Sequence, residues 1–101
     1  MADDLRARFE QEFQRNGWLA EIGEDPAGHI YPPHRHGWTR LVTLGGSLRL
    51  RVDGGAWREF KRGDTCDIAT NQLHEAVAGS DGWHWLAAWK PEEDDTFAAH
   101  A

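Results

Sequence analysis

Three histidines are the side chains of this chain best suited to chemistry. His34 and His36 stand two apart in Pro32-Pro33-His34-Arg35-His36, and His74 ends the segment that opens at Gly63-Asp64. Side chains alternate along an extended strand, so His34 and His36 project to the same side. Two neutral imidazoles side by side are half of a metal site. A third from a strand folded opposite would complete a set suited to one divalent transition metal: zinc, iron, nickel, manganese or copper. His74 is the natural candidate, because it follows a Gly-Asp turn and ends an apolar-flanked segment. The competing reading is a pair of half-exposed polar residues on a strand. Continued alternation would put Trp38, Arg40, Val42 and Leu44 on the side of the pair, unless a bulge intervenes.

The elements that must position these residues are legible in part. Leu5, Phe9 and Phe13 recur every four residues, which predicts a short amphipathic helix from about Asp3, a plausible N-cap, to Arg15, ended by Asn16-Gly17. After Gly17 the pattern is that of sheet. Trp18 to Ile22 reads as a strand, Glu24 to Gly28 as a turn, and His29 to Tyr31 as the approach to a double proline that favours a sheet edge or bend. Thr39 to Leu44 reads as a strand, Gly45-Gly46 as a hairpin turn. In Ser47 to Asp53, Leu48, Leu50 and Val52 face inward and Ser47, Arg49 and Arg51 outward. Strands are also expected over 56–61, 66–69, 73–78 and 83–90, with Ser80-Asp81-Gly82 as the last hairpin turn. Trp83, Trp85 and Trp89 would share one face, His84, Leu86 and Lys90 the other, and bulk on both faces implies that both are covered. Many short strands with glycine-rich turns indicate a sandwich or barrel. The expected organisation is a helix over 1–17 packed on a barrel over 18–91, then an acidic tail over 92–101.

Composition narrows the function. One hundred and one residues suit one compact domain. Six Trp and four Phe supply large apolar area from few positions. A formal charge of -6 leaves no clustered basic surface, so nucleic acid is not an expected partner. Cys66 is alone, which excludes an internal disulfide and makes a reducing, cytoplasmic location the default. No apolar run approaches the ~20 residues of a membrane helix, and no basic signal region opens the chain. No Ser-His-Asp set, phosphate loop or carboxylate pair is recognisable. Cys66 reads as a small buried hydrophobe, Glu75 as facing away from its neighbour His74, and His100 as part of the tail.

The spacing resembles the cupin superfamily. The first cupin motif, Gly-x5-His-x-His-x3-Glu-x6-Gly, is met by Gly28, His34, His36 and, one residue early, Gly46. The second, Gly-x5-Pro-x-Gly-x2-His-x3-Asn, is met by Gly63 and His74, with Ala69, Asn71 and Ala78 in place of Pro, Gly and Asn. The resemblance implies an all-β jelly-roll barrel, or double-stranded β-helix, with a short N-terminal helix. It also implies a metal held by His34, His36 and His74 in the barrel mouth. The family's fourth ligand, Glu, is Arg40 here, and a guanidinium cannot ligate. Arg40 is therefore a candidate anchor for an anionic ligand beside the metal, or an outward structural residue. Trp38 is a candidate for the cavity wall, with aromatic core filling as the alternative. The expected function is binding or conversion of a small, anionic organic molecule, oxygenase- or isomerase-like, in a homodimer. The alternative is a non-catalytic binding or sensor protein, without metal because of Arg40.

Overall fold

The computed structural model describes residues 2–91, with side chains from Asp4 onward. The Asp3 side chain and the acidic tail with His100 lie outside the described residues. The elements in chain order are α1 (Ala2–Arg15), β1 (Leu19–Asp25), β2 (Ile30–His34), β3 (Thr39–Val52), β4 (Arg58–Lys61), β5 (Thr65–Ile68) and β6 (His74–Trp89).

All strand pairs are antiparallel. The sheet path is β1-β6-β3-β4, with β2 also on β6 and β5 also on β3. The residue partners resolve this path into two halves. The first half of β3, Thr39 to Val42, pairs with β5 on one side and with the second half of β6 on the other, and β1 pairs with that same half of β6. The second half of β3 pairs with β4 and with the first half of β6, which also carries β2. Two four-stranded layers are thus built on one long, bent pair of strands. This is the jelly-roll barrel expected from the sequence.

The bend falls where the register between β3 and β6 shifts, at Gly45-Gly46 and at Gly79 to Gly82. The sequence reading placed hairpin turns at Gly45-Gly46 and at Ser80-Asp81-Gly82, and the structure corrects it: both lie inside continuous strands. A glycine pair serves a bulge as well as a turn, because each needs a backbone that side chains resist. Gly46 has φ +64° and Gly82 φ +78°, and a Cβ on Gly46 would run into the carbonyl group of Gly82.

Two cores result. Leu48, Leu50, Phe60, Ile68, Ala76, Ala78 and Trp83 are buried together between the layers. Phe13, Val42, Leu44, Leu86 and Ala88 are buried together on the outer side of the first layer, with Leu5, Phe9, Trp18 and Ile22 packed against them. The four-residue repeat of α1 therefore covers the face of β6 that carries Leu86, so both faces of that strand are covered. On β3 the alternation holds as expected: Leu48 and Leu50 are buried while Arg49 is exposed and Arg51 pairs with Glu75 at 2.9 Å. Among the described residues no helix is long and apolar enough to cross a membrane.

Gly46→Ala adds a clash with Gly82 to the cost of a left-handed backbone, about 1–2 kcal/mol. Gly28→Ala, at φ +77° in open space, has the backbone cost alone. Urea unfolding should therefore show Gly46→Ala as the less stable of the two by at least about 1 kcal/mol; equal midpoints would contradict a tight corner.

Candidate metal centre and pocket

Three local devices bring the histidines together. The first is the double proline. Tyr31 pairs with Ala76 and His34 with His74, so β2 carries one residue more than β6 across Pro32-Pro33. Proline lacks the N–H a regular ladder needs, and the extra residue is the bulge that results. Its consequence is that Tyr31 and His34, three apart and otherwise on opposite faces, both line the space between the layers. The second device pins the loop after β2: Asn71 N–H donates to the His36 carbonyl at 2.7 Å, and an Arg35 guanidinium nitrogen donates to the Asn71 carbonyl at 3.0 Å. Asn71 takes a left-handed conformation, φ 64°, which asparagine tolerates. The third is the pairing of Val52 with His74, tightened by Asp53 N–H donating to the Leu73 carbonyl at 2.8 Å.

The imidazole of each histidine is oriented by a backbone carbonyl. Nδ1 of His34 lies 2.6 Å from the Pro32 carbonyl, Nδ1 of His36 2.7 Å from that of Gly37, and Nδ1 of His74 2.8 Å from that of Gln72. A carbonyl oxygen only accepts, so each Nδ1 carries a proton, which in a neutral ring makes Nε2 the atom that can ligate. This is the tautomer a metal needs, held by the outer hydrogen bond that metal-binding histidines commonly make. The offered ligand atoms of His34, His36 and His74 all lie within 4.8 Å of one another. Two metal–nitrogen bonds of ~2.1 Å span roughly 4 Å, so small ring rotations suffice to share one ion. The ring centroids of His34 and His74 are 4.2 Å apart, and His36 and His74 are 5% to 7% exposed. The donor set fits a borderline divalent metal.

The histidines border a cavity of about 280 Å3 between the layers, whose wall includes Leu41, Leu50, Trp83 and Trp85. That is at or below the lower end of ordinary small-molecule sites, so an occupant has to be small.

No protein-family model matches the chain, and no curated protein matches it by sequence. Solved structures match it in shape. KdgF from Halomonas sp. superposes with a TM-score of 0.68, at 21% identity over 78% of this chain and 74% of that one. An RmlC-like cupin from Shewanella frigidimarina gives 0.65 at 20% identity, over 78% of this chain and 70% of that one. The DMSP lyase DddQ from Ruegeria pomeroyi gives 0.68 at 22% identity; 75% of this chain is covered, which spans 39% of the lyase chain. The fold is that of the RmlC-like cupins.

Within this cupin barrel, Arg40 and Trp38 do not take the places that simple alternation gives them. His36 and Thr39, three apart, both line the cavity, so the chain shifts phase once more at Gly37-Trp38. Thr39 and Leu41 then face in, and Arg40 is turned out. Its guanidinium makes a two-pronged pair with Asp67 at 2.8 and 2.9 Å and reaches Glu12 of α1 at 3.2 Å. It also lies 5.2 Å from the Trp18 ring centre and 5.6 Å from that of Trp38. The hydrogen bond to Asp67 raises the Arg40 pKa further above its ordinary value. Arg40 thus takes the outward, structural place that the sequence reading gave as the alternative to an anion anchor, and it ties the helix to β5. Trp38 packs on Trp18 at 4.8 Å, under Arg40 and Lys90, rather than on the cavity.

The remaining candidates fall out as follows. Glu75 points away from His74, onto Arg51. Cys66 is a free thiol packed against the inner core, where burial pushes its pKa up. His29 stacks edge-on against Tyr31, and the His84 ring lies 4.0 Å from Glu24. Sequence reasoning passed over Glu21, Asp25, Tyr31 and Thr39, all of which line the cavity. For Glu21 and Asp25 a signal existed: extending β1 to Asp25 puts both on the face opposite Ile22.

Arg40→Ala is expected to lower stability by about 1–3 kcal/mol through loss of charge-assisted bonds, while metal content and ligand binding stay at the wild-type level. Loss of either with an intact fold would return Arg40 to the pocket.

Proposed function

We propose that this cupin holds one divalent transition metal through His34, His36 and His74, and binds and converts a small organic molecule that presents an oxygen donor to it. The observation that carries the reading is the convergence of three imidazoles whose ligand atoms lie within 4.8 Å of one another, each with Nδ1 on a backbone carbonyl, of Pro32, Gly37 and Gln72. Three protein ligands leave coordination positions open, and a bound ion supplies Lewis-acid polarisation of a ligand oxygen. Leu41 and Thr39, not Arg40, accompany the histidines, so the affinity for a carboxylate or hydroxyl rests on the metal. A DMSP lyase is among the structural neighbours, but the activity proposed here follows from the site and not from the shape.

The non-catalytic alternative has its own support. The wall beyond the histidines is dominated by Leu48, Leu50, Ile68 and the tryptophans, a surface suited to holding a ligand. The exposed Ile30 and Trp57, on strands or flanks of the second layer, support pairing into a homodimer, which sedimentation checks directly. A cytoplasmic location accompanies this reading.

Protein purified without chelator should contain about one equivalent of metal by elemental analysis, and His34→Ala and His74→Ala should each lose it. Wild-type protein that stays metal-free when offered zinc, iron, nickel, manganese and copper would overturn the proposal.

A further inference from the structure

The cavity has a charge pattern that the histidines do not account for. Glu21 and Asp25 line it from β1, and no lysine or arginine is among the residues that do. Glu21 has no hydrogen-bond or ion-pair partner among the described residues. Three aromatic side chains, Tyr31, Trp83 and Trp85, line the same cavity. Tyr31 meets Trp83 edge-on at 5.9 Å, and Trp83 lies 5.7 Å from Trp85. Both indole donors are occupied: Trp83 Nε1–H donates to Thr43 Oγ1 at 3.0 Å, and Trp85 Nε1–H to Asp25 Oδ2 at 2.9 Å. What these rings can offer an occupant is therefore π surface. The Tyr31 hydroxyl is buried with no protein partner among the described residues, a polar atom that a ligand would satisfy.

The ladder register separates these groups from the imidazoles. His34 pairs with His74 at the start of β6, whereas Asp25 pairs with Trp83, beside the Gly46–Gly82 corner at its middle. One end of the cavity thus offers nitrogen donors. The other offers the Asp25 carboxylate and electron-rich rings, the combination that attracts an organic cation, while Glu21, in the row of Ala87 and Leu41, lies nearer the imidazoles.

We infer that the ligand is a small methylated ammonium compound with an oxygen donor at its other end, an amino alcohol or betaine-type zwitterion, its ammonium lying against Trp83 and Trp85 beside Asp25. The oxygen end rests on the metal-site reading proposed above; the ammonium end stands on its own residues. The assignment also accounts for two acids on the wall of a cavity that would repel a simple carboxylate ligand.

The test is calorimetric titration of the protein as purified with choline and with 3,3-dimethylbutan-1-ol, which has the same shape and no charge. Choline should bind at least about ten-fold more tightly, since a desolvated cation on a tryptophan is worth ~2 kcal/mol. Tetramethylammonium should compete with it. Asp25→Asn should weaken choline several-fold and leave the neutral isostere unchanged. Glu21→Gln, at an exposed position of an edge strand, is the second variant, with a smaller loss of choline affinity expected. Equal binding of the two probes, no binding of either, or a choline preference untouched by both variants would overturn the inference. Elemental analysis of the same sample keeps the two readings apart: a metal-free protein that still prefers choline contradicts the metal site and supports the ammonium site.

Discussion

The antiparallel pairing of β3 with β6 is the constraint on which the rest of this protein depends. It runs through both layers, and every other strand is attached to one of its two members. Bent at Gly46 and Gly82, it turns one ladder into two stacked halves with a cavity between them. Its register also places the starting residue of β6, His74, opposite His34 and Val52. A slip of one residue would turn every inward side chain of that strand outward, so the alternation of Leu48 and Leu50 with Arg49 and Arg51 protects the site as well as the core. The helix contributes from outside, sealing the face of Val42 and Leu86 with Phe13.

On this frame, the irregular points do the chemical positioning. The Pro32-Pro33 bulge and the phase change at Gly37-Trp38 each shift the chain by one residue, and together they deliver Tyr31, His34, His36, Thr39 and Leu41 to a single cavity. Backbone carbonyls then select the tautomer of each imidazole. No charged partner is needed for this, and the charged groups that line the cavity are Glu21 and Asp25. Arg40, at the fourth ligand position of the motif, is held on the outside by Asp67, Glu12 and two tryptophans. Its role is to fasten α1 and β5 to the barrel.

Much of this was legible in the sequence, and the failures have physical causes. The His-x-His pair, the matching position of His74 and the helix stripe Leu5, Phe9, Phe13 follow from periodicity and spacing. Alternation alone misplaced Arg40 and Trp38, because a bulge changes the face of every later residue and leaves only a weak trace, here a glycine after His36. Gly45-Gly46 and Ser80-Asp81-Gly82 were read as hairpin turns since the same residues satisfy a turn and a bulge; only the pairing of distant strands distinguishes them. Asp25 was assigned to a turn because Pro26 and Gly28 follow it. Glu21 and Tyr31 belong to no motif, and their place beside the histidines comes from the stacking of β1 over β2, which no local pattern encodes.

The central claim is that three carbonyl-oriented imidazoles share one ion through Nε2. Anomalous diffraction at the absorption edge of the metal found in the purified protein tests it most directly. The account predicts a single strong peak about 2.1 Å from Nε2 of His34, His36 and His74, with each Nδ1 still on its backbone carbonyl. A metal-saturated crystal with no peak among these rings, or one bound through Nδ1, would contradict it.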